Sequence, residues 1–180
     1  MFFLGIILIC LVGTLLHFTY ELSHHNKFVA IFSAVNESTW EHIKICMTPT
    51  ILWSIYEIIE YGFSGTFIFA KSISLLTIIV VIPILFYSYT LFTKKSILFI
   101  DVICFYLTVI CSQLVFKNII SIDNLSDGFV YIGAGLLILE MTTYFYLTLK
   151  PYNNFIFKDP ITNKYGIEGH PCSHHHKHNH

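Results

Sequence analysis

Long apolar runs alternate with short polar connections along this chain, and the lengths of the runs predict its elements. Phe2 to Tyr20 is apolar apart from His17 near its far end, which is the length a helix needs to cross a bilayer. Runs of the same kind occupy 73–92, 96–116 and 129–149, each bounded by lysine, glycine or other polar residues. A fifth stretch, 40–61, is weaker by hydropathy because it holds Glu41, His42, Lys44, Glu57 and Glu60. On a helix, His42, Cys46, Pro49, Trp53, Glu57 and Glu60 of that stretch share one stripe and Lys44 turns away from it, so the polar groups can face protein instead of lipid. Between the first two helices Phe28 to Val35 is apolar but too short to cross, and is expected to be interfacial or re-entrant. The pattern predicts an all-α fold, a polytopic transmembrane bundle of five spanning helices. Residues 1–149 form the helical domain, residues 61–72 a connection within it, and residues 150–180 a polar tail.

Composition strengthens this reading. A chain of 180 residues that is 55% hydrophobic and 12% charged cannot clothe a soluble surface, so the lipid bilayer is its first partner. A net charge of -1 gives no basic face for nucleic acid. The five cysteines are scattered without a C-x-x-C and are expected as free thiols, mostly buried. The first run lacks a charged leader and a small-residue cleavage site, and is expected to stay as a permanent helix. Five helices without an inverted repeat are few for a solitary carrier, which points to a homo-oligomer or a larger membrane complex. Lysines set the orientation. With the N-terminus outside, Lys27, Lys44, Lys94, Lys95 and Lys150 fall inside and only Lys71 and Lys117 outside, so the tail is expected in the cytoplasm of a bacterial cell, beneath its plasma membrane.

The chemistry gathers at the inner side. Ser38 followed by Glu41 has the form of a capping box, with Asn36 as a second cap, so a helix should start there. His17 and Glu21 stand one helical turn apart on the first helix, at the same expected depth as Glu41 and His42. Mixed imidazole and carboxylate ligands suit Zn, Fe, Ni, Co or Mn, which makes His17, Glu21, Glu41 and His42 the candidate metal ligands. Asn36, Glu37, Asp101 and Glu140 are expected to surround them as a polar network, since ionisable groups inside a membrane are costly and seldom accidental. The alternative is that these residues serve only capping and helix packing. The chain ends in His170, Cys172, His174, His175, His176, His178 and His180, interrupted by Lys177 and Asn179, a composition that chelates transition metals with little need for a fold.

Two stretches, His17-Phe18-Thr19-Tyr20-Glu21-Leu22-Ser23 and Phe32 to His42 with its Asn-Glu-Ser-x-Trp-Glu-His run, and then Asp159-Pro160 with Tyr165-Gly166, resemble a family of small five-helix bacterial membrane proteins, mostly from Firmicutes. The resemblance covers nearly the whole chain and implies the architecture without supplying a reaction. Three functions stay open: handling of a divalent transition metal or a proton through the His/Glu cluster and tail, metal-dependent hydrolysis of a lipid within the membrane, and a structural or accessory role. In a cysteine-free background, Lys94→Cys and Lys95→Cys are expected to be shielded from an impermeant thiol reagent added outside intact cells. Labelling from outside would reverse the topology.

Overall fold

The computed structural model describes residues 2–170. They form five long helices: α1 (Phe2–Leu22), α2 (Thr39–Tyr61), α3 (Gly65–Thr93), α4 (Leu98–Ile120) and α5 (Asp127–Leu149). Two short 3-10 turns, Val29–Ile31 and Gly166–Gly169, complete the regular structure, and no strand occurs among the described residues. Four helices, α1, α3, α4 and α5, are long and apolar enough to cross a membrane. α2 matches them in length with 23 residues but carries the charges noted above.

The surface agrees with that reading. α1 exposes Phe3, Ile7, Leu11 and Leu15, spaced four apart, and buries Gly5, Ile9 and Gly13 on its other side. Leu91, Phe92, Leu98 and Phe99 are likewise exposed around the turn between α3 and α4. Exposed apolar side chains of this size and number are compatible with a polytopic membrane protein.

α3 is the packing hub, lying against α2, α4 and α5, while α1 packs on α2 and α4. The core takes Ile9 from α1, Ile43 and Met47 from α2, Leu75, Ile78 and Ile82 from α3, Phe105 and Val109 from α4 and Tyr144 from α5. α1 comes close because Gly13 has no side chain. A Cβ there would sit 2.8 Å from the carbonyl oxygen of Ile45 and collide with the Phe105 ring. Small residues admit this kind of close helix approach in membranes.

Three details go beyond the pattern of apolar runs. α3 begins at Gly65, well before the apolar run at 73, so much of the expected connection over 61–72 is helix. The Ser64 hydroxyl caps it by accepting the Phe67 N–H at 3.2 Å. Lys71 can then lie inside the helix because Glu57 neutralises it: Lys71 Nζ donates to Glu57 Oε2 and stands 4.2 Å above the Phe116 ring. Both residues are buried, so Glu57 is half of an interior ion pair between α2 and α3. Second, residues 28–35 contain a single 3-10 turn, with Ala30 and Val35 packed on Tyr20. Third, residues 150–170 are not a free polar tail. Phe157 and Asp159 are buried, and the Trp40 N–H donates to the Ile156 carbonyl at 3.0 Å.

Removing one member of a buried ion pair strands the other, at about 3–5 kcal/mol. Lys71→Met is therefore expected to lower stability by about that much in detergent-phase thermal unfolding, and adding Glu57→Leu to restore most of it. A double variant as unstable as the single would show that the pair does not carry this contact.

Candidate functional site

The site starts from the irregular loop before α2. Asn36 Oδ1 accepts the Ser38 N–H at 2.8 Å, closing a tight side-chain turn. Its Nδ2 donates to the Gly166 carbonyl at 2.8 Å, and Asp159 Oδ1 accepts the Glu37 N–H at 3.0 Å. Asp159 is itself fixed through Oδ2, which accepts the Thr162 N–H at 2.5 Å and the Thr162 hydroxyl at 2.6 Å. The loop is thus clamped by the segment that follows α5.

Held there, Glu37 reaches both histidines. Its Oε1 lies 3.3 Å from His17 Nε2 on α1 and its Oε2 3.9 Å from His42 Nε2 on α2. His42 Nδ1 sits 2.9 Å from the Ser38 carbonyl oxygen. A carbonyl only accepts, so Nδ1 carries a hydrogen, and Nε2 then presents a lone pair when the ring is neutral or a second N–H when it is charged. A lone pair facing a carboxylate is repulsive. A positive charge placed between them, a proton or a metal ion, would relieve that repulsion. Burial alone would raise the Glu37 carboxyl, but the His17 contact and the charges of His17 and His42 outweigh it and hold the group below the ordinary carboxylate value. Beside the histidines is an apolar cavity of about 120 Å³, walled by Phe18, Ile45, Val102 and Phe105 and reached by Asp101. Asp101 accepts hydrogen bonds from the Tyr89 hydroxyl and, at 2.6 Å, from the Ser96 hydroxyl.

The other residues singled out from the sequence lie as follows. Ser38 occupies the N-cap of α2, yet its hydroxyl makes no capping bond. Glu41 does not close the capping box by reaching back to Ser38: Lys44 draws it away, at 2.6 Å, and its Oε2 accepts the Val35 N–H at 3.0 Å. Lys44, expected off the stripe that holds His42, is buried and also donates to the Ala30 carbonyl at 2.8 Å. The charge of Glu21 acts on His170. Tyr20, His25 and His170 pack their rings tilted or edge to face at 4.7–5.3 Å, and burial together with His25 pushes the His170 imidazole below its ordinary value. Glu140 lines a different cavity. Cys172, His174, His175, His176, His178 and His180 lie outside the described residues. Among the described residues, no three His, Cys, Asp or Glu side chains stand as a ready metal-ligand set.

Sequence reasoning placed Glu37 at the margin of the site and did not use Asp159. The signal was the Asp159-Pro160 and Tyr165-Gly166 pairs, which carry the family resemblance and whose Asp159 and Gly166 grip the loop. The chain belongs to a family of unknown function (DUF6512), whose model matches residues 1–167. No curated protein and no solved structure matches it.

A depressed folded-state value makes the Glu37 contribution present above the ordinary carboxylate range, near ~4.3, and lost as pH falls through the folded value. Glu37→Gln is expected to cost about 1–2 kcal/mol at neutral pH and nothing in strong acid. Melting temperatures of the two proteins across that pH range check this, and an offset independent of pH would refute it.

Proposed function

We propose that this member of the family is a five-span protein of the bacterial plasma membrane, N-terminus outside, that binds a single cation between Glu37 and the imidazoles of His17 and His42. The cation is a divalent transition metal, of the Zn, Fe, Ni, Co or Mn kind, or a proton. The observation that carries this reading is the position of the Glu37 carboxylate between the two Nε2 atoms while His42 Nδ1–H is committed to the Ser38 carbonyl. The same pairing of a backbone carbonyl with one ring nitrogen orients metal-binding histidines generally. Around a tetrahedral ion with ligands about 2.0–2.1 Å away, neighbouring ligand atoms stand about 3.3 Å apart. The His17 separation of 3.3 Å suits this, and the His42 separation of 3.9 Å needs a small closure.

On this reading Glu41 is structural, since Lys44 and the Val35 N–H occupy it. Glu21 belongs with His25 and His170, where the His-rich end of the chain begins, and serves as the entry side for metal collected by that end. A homo-oligomer or larger complex would supply whatever path five helices lack. A second reading, a metal-dependent hydrolase acting on a lipid, is favoured by the apolar cavity beside the histidines, which suits a hydrocarbon chain, with Glu37 as general base.

Metal analysis of detergent-purified protein lacking residues 171–180 separates these arms. One equivalent of bound metal, weakened roughly tenfold or more by Glu37→Gln and by His42→Ala, is expected for the metal form. Absence of metal together with proton release at the site that Glu37→Gln removes identifies the proton form. Neither metal nor a Glu37-dependent proton would overturn the cation site.

A further inference from the structure

The cleft bounded by α2, α3, α5 and the segment after α5 contains two buried polar groups that no other described residue satisfies. Among the described residues, neither carboxyl oxygen of Glu140 nor the indole Nε1–H of Trp40 has a hydrogen-bond partner. Glu140 is 4% exposed and Trp40 6% exposed, and both line one cavity of about 300 Å³. Leaving such groups unpaired costs about 1–3 kcal/mol each, and more for a charge. Two of them in one cavity therefore suggest a ligand that pairs them. The volume is about ten times the ~30 Å³ share of one water molecule and lies at the small end of ligand pockets.

The walls select the ligand's chemistry. Ile43 and Met47 of α2, Ile79 and Pro83 of α3, and Leu147 and Phe157 are apolar and accept hydrocarbon. Among the described residues no Lys, Arg or His lines this cavity, so a phosphate or a fatty-acid carboxylate would meet Glu140 without a counter-charge from them. An alkylammonium suits Glu140 but brings no acceptor for the Trp40 N–H. A hydroxyl both donates and accepts. Glu140 lies nine residues before the end of α5, about 13 Å along the helix, so the group it holds sits at the depth of lipid chains.

We propose that this cleft binds a neutral lipid alcohol, with a hydroxyl donating to Glu140 and an oxygen accepting from Trp40 Nε1–H. The hydroxyl belongs either to a glycerol head, as in a monoacylglycerol, or to a simple long-chain alcohol. The cleft shares no lining residue with the His17–His42 cavity, so it stands independently of the cation site.

Trp40 and Trp53 are the two tryptophans of the chain, so Trp53→Phe leaves Trp40 as sole fluorophore. The full chain in detergent is titrated with dibrominated monooleoylglycerol, oleyl alcohol, oleic acid and oleylamine. Saturable quenching by one or both alcohols is expected, the stronger of the two identifying the source of the hydroxyl. Adding Glu140→Leu should weaken it roughly tenfold, the loss of one well-placed buried hydrogen bond. Glu140→Met, of similar length, takes its place if the leucine variant does not fold. Saturable quenching by the acid or the amine as strong as by the alcohols overturns the proposed class. Non-saturating quenching by every probe, or binding unchanged by the Glu140 variants, overturns the site.

Discussion

An ionised group inside an apolar helix bundle must find a partner, and the organisation of this protein follows from how α2 meets that demand. α2 carries Glu41, His42, Lys44 and Glu57 among four helices that are almost wholly apolar, and each of these groups is buried. Each has a partner supplied from a different part of the chain. Glu41 and Lys44 take each other and the backbone at Val35 and Ala30. Glu57 takes Lys71 of α3. His42 takes the Ser38 carbonyl on one nitrogen and faces Glu37 with the other. The helix with the least membrane-like composition is thus fixed in place by pairing as much as by apolar packing, and its neighbours are set around it.

The same demand explains why the loop before α2 is tied so firmly. Glu37 has no helix to position it, yet it must face His17 and His42. Asn36 and Asp159 provide the position by capturing backbone groups on both sides, so residues 150–170 are part of the site's framework. Glu140 is the exception to the pairing rule among the buried acids of the helices. Among the described residues Asp101 accepts from two hydroxyls and Glu140 has no partner, the contrast on which the proposed lipid cleft rests.

Much of the helical frame was legible in the sequence because lipid imposes one criterion, a long apolar run, and periodicity then assigns faces. Phe3, Ile7, Leu11 and Leu15 against Gly5, Ile9 and Gly13 is such a case. The His17 and His42 rings lie 6.4 Å apart. The failures occur where those criteria lapse. Lys71 reads as a helix-ending charge until Glu57 is known to lie beside it. Glu37 sits in an aperiodic loop, so no face could be assigned, and its role depends on a clamp more than a hundred residues away in sequence. Glu41 was expected beside the histidines, but Lys44 and the Val35 N–H take its carboxylate.

The central claim, that one positive charge bridges Glu37 and the two imidazoles, is most directly tested by ¹⁵N NMR of the histidine rings in detergent-solubilised protein. His42 is expected to show a protonated Nδ1 and an Nε2 that is either cation-bound or protonated, changing together with the Nε2 of His17 when Glu37 is replaced by Gln. A neutral His42 protonated on Nε2 alone, with ring shifts indifferent to Glu37, would contradict the account.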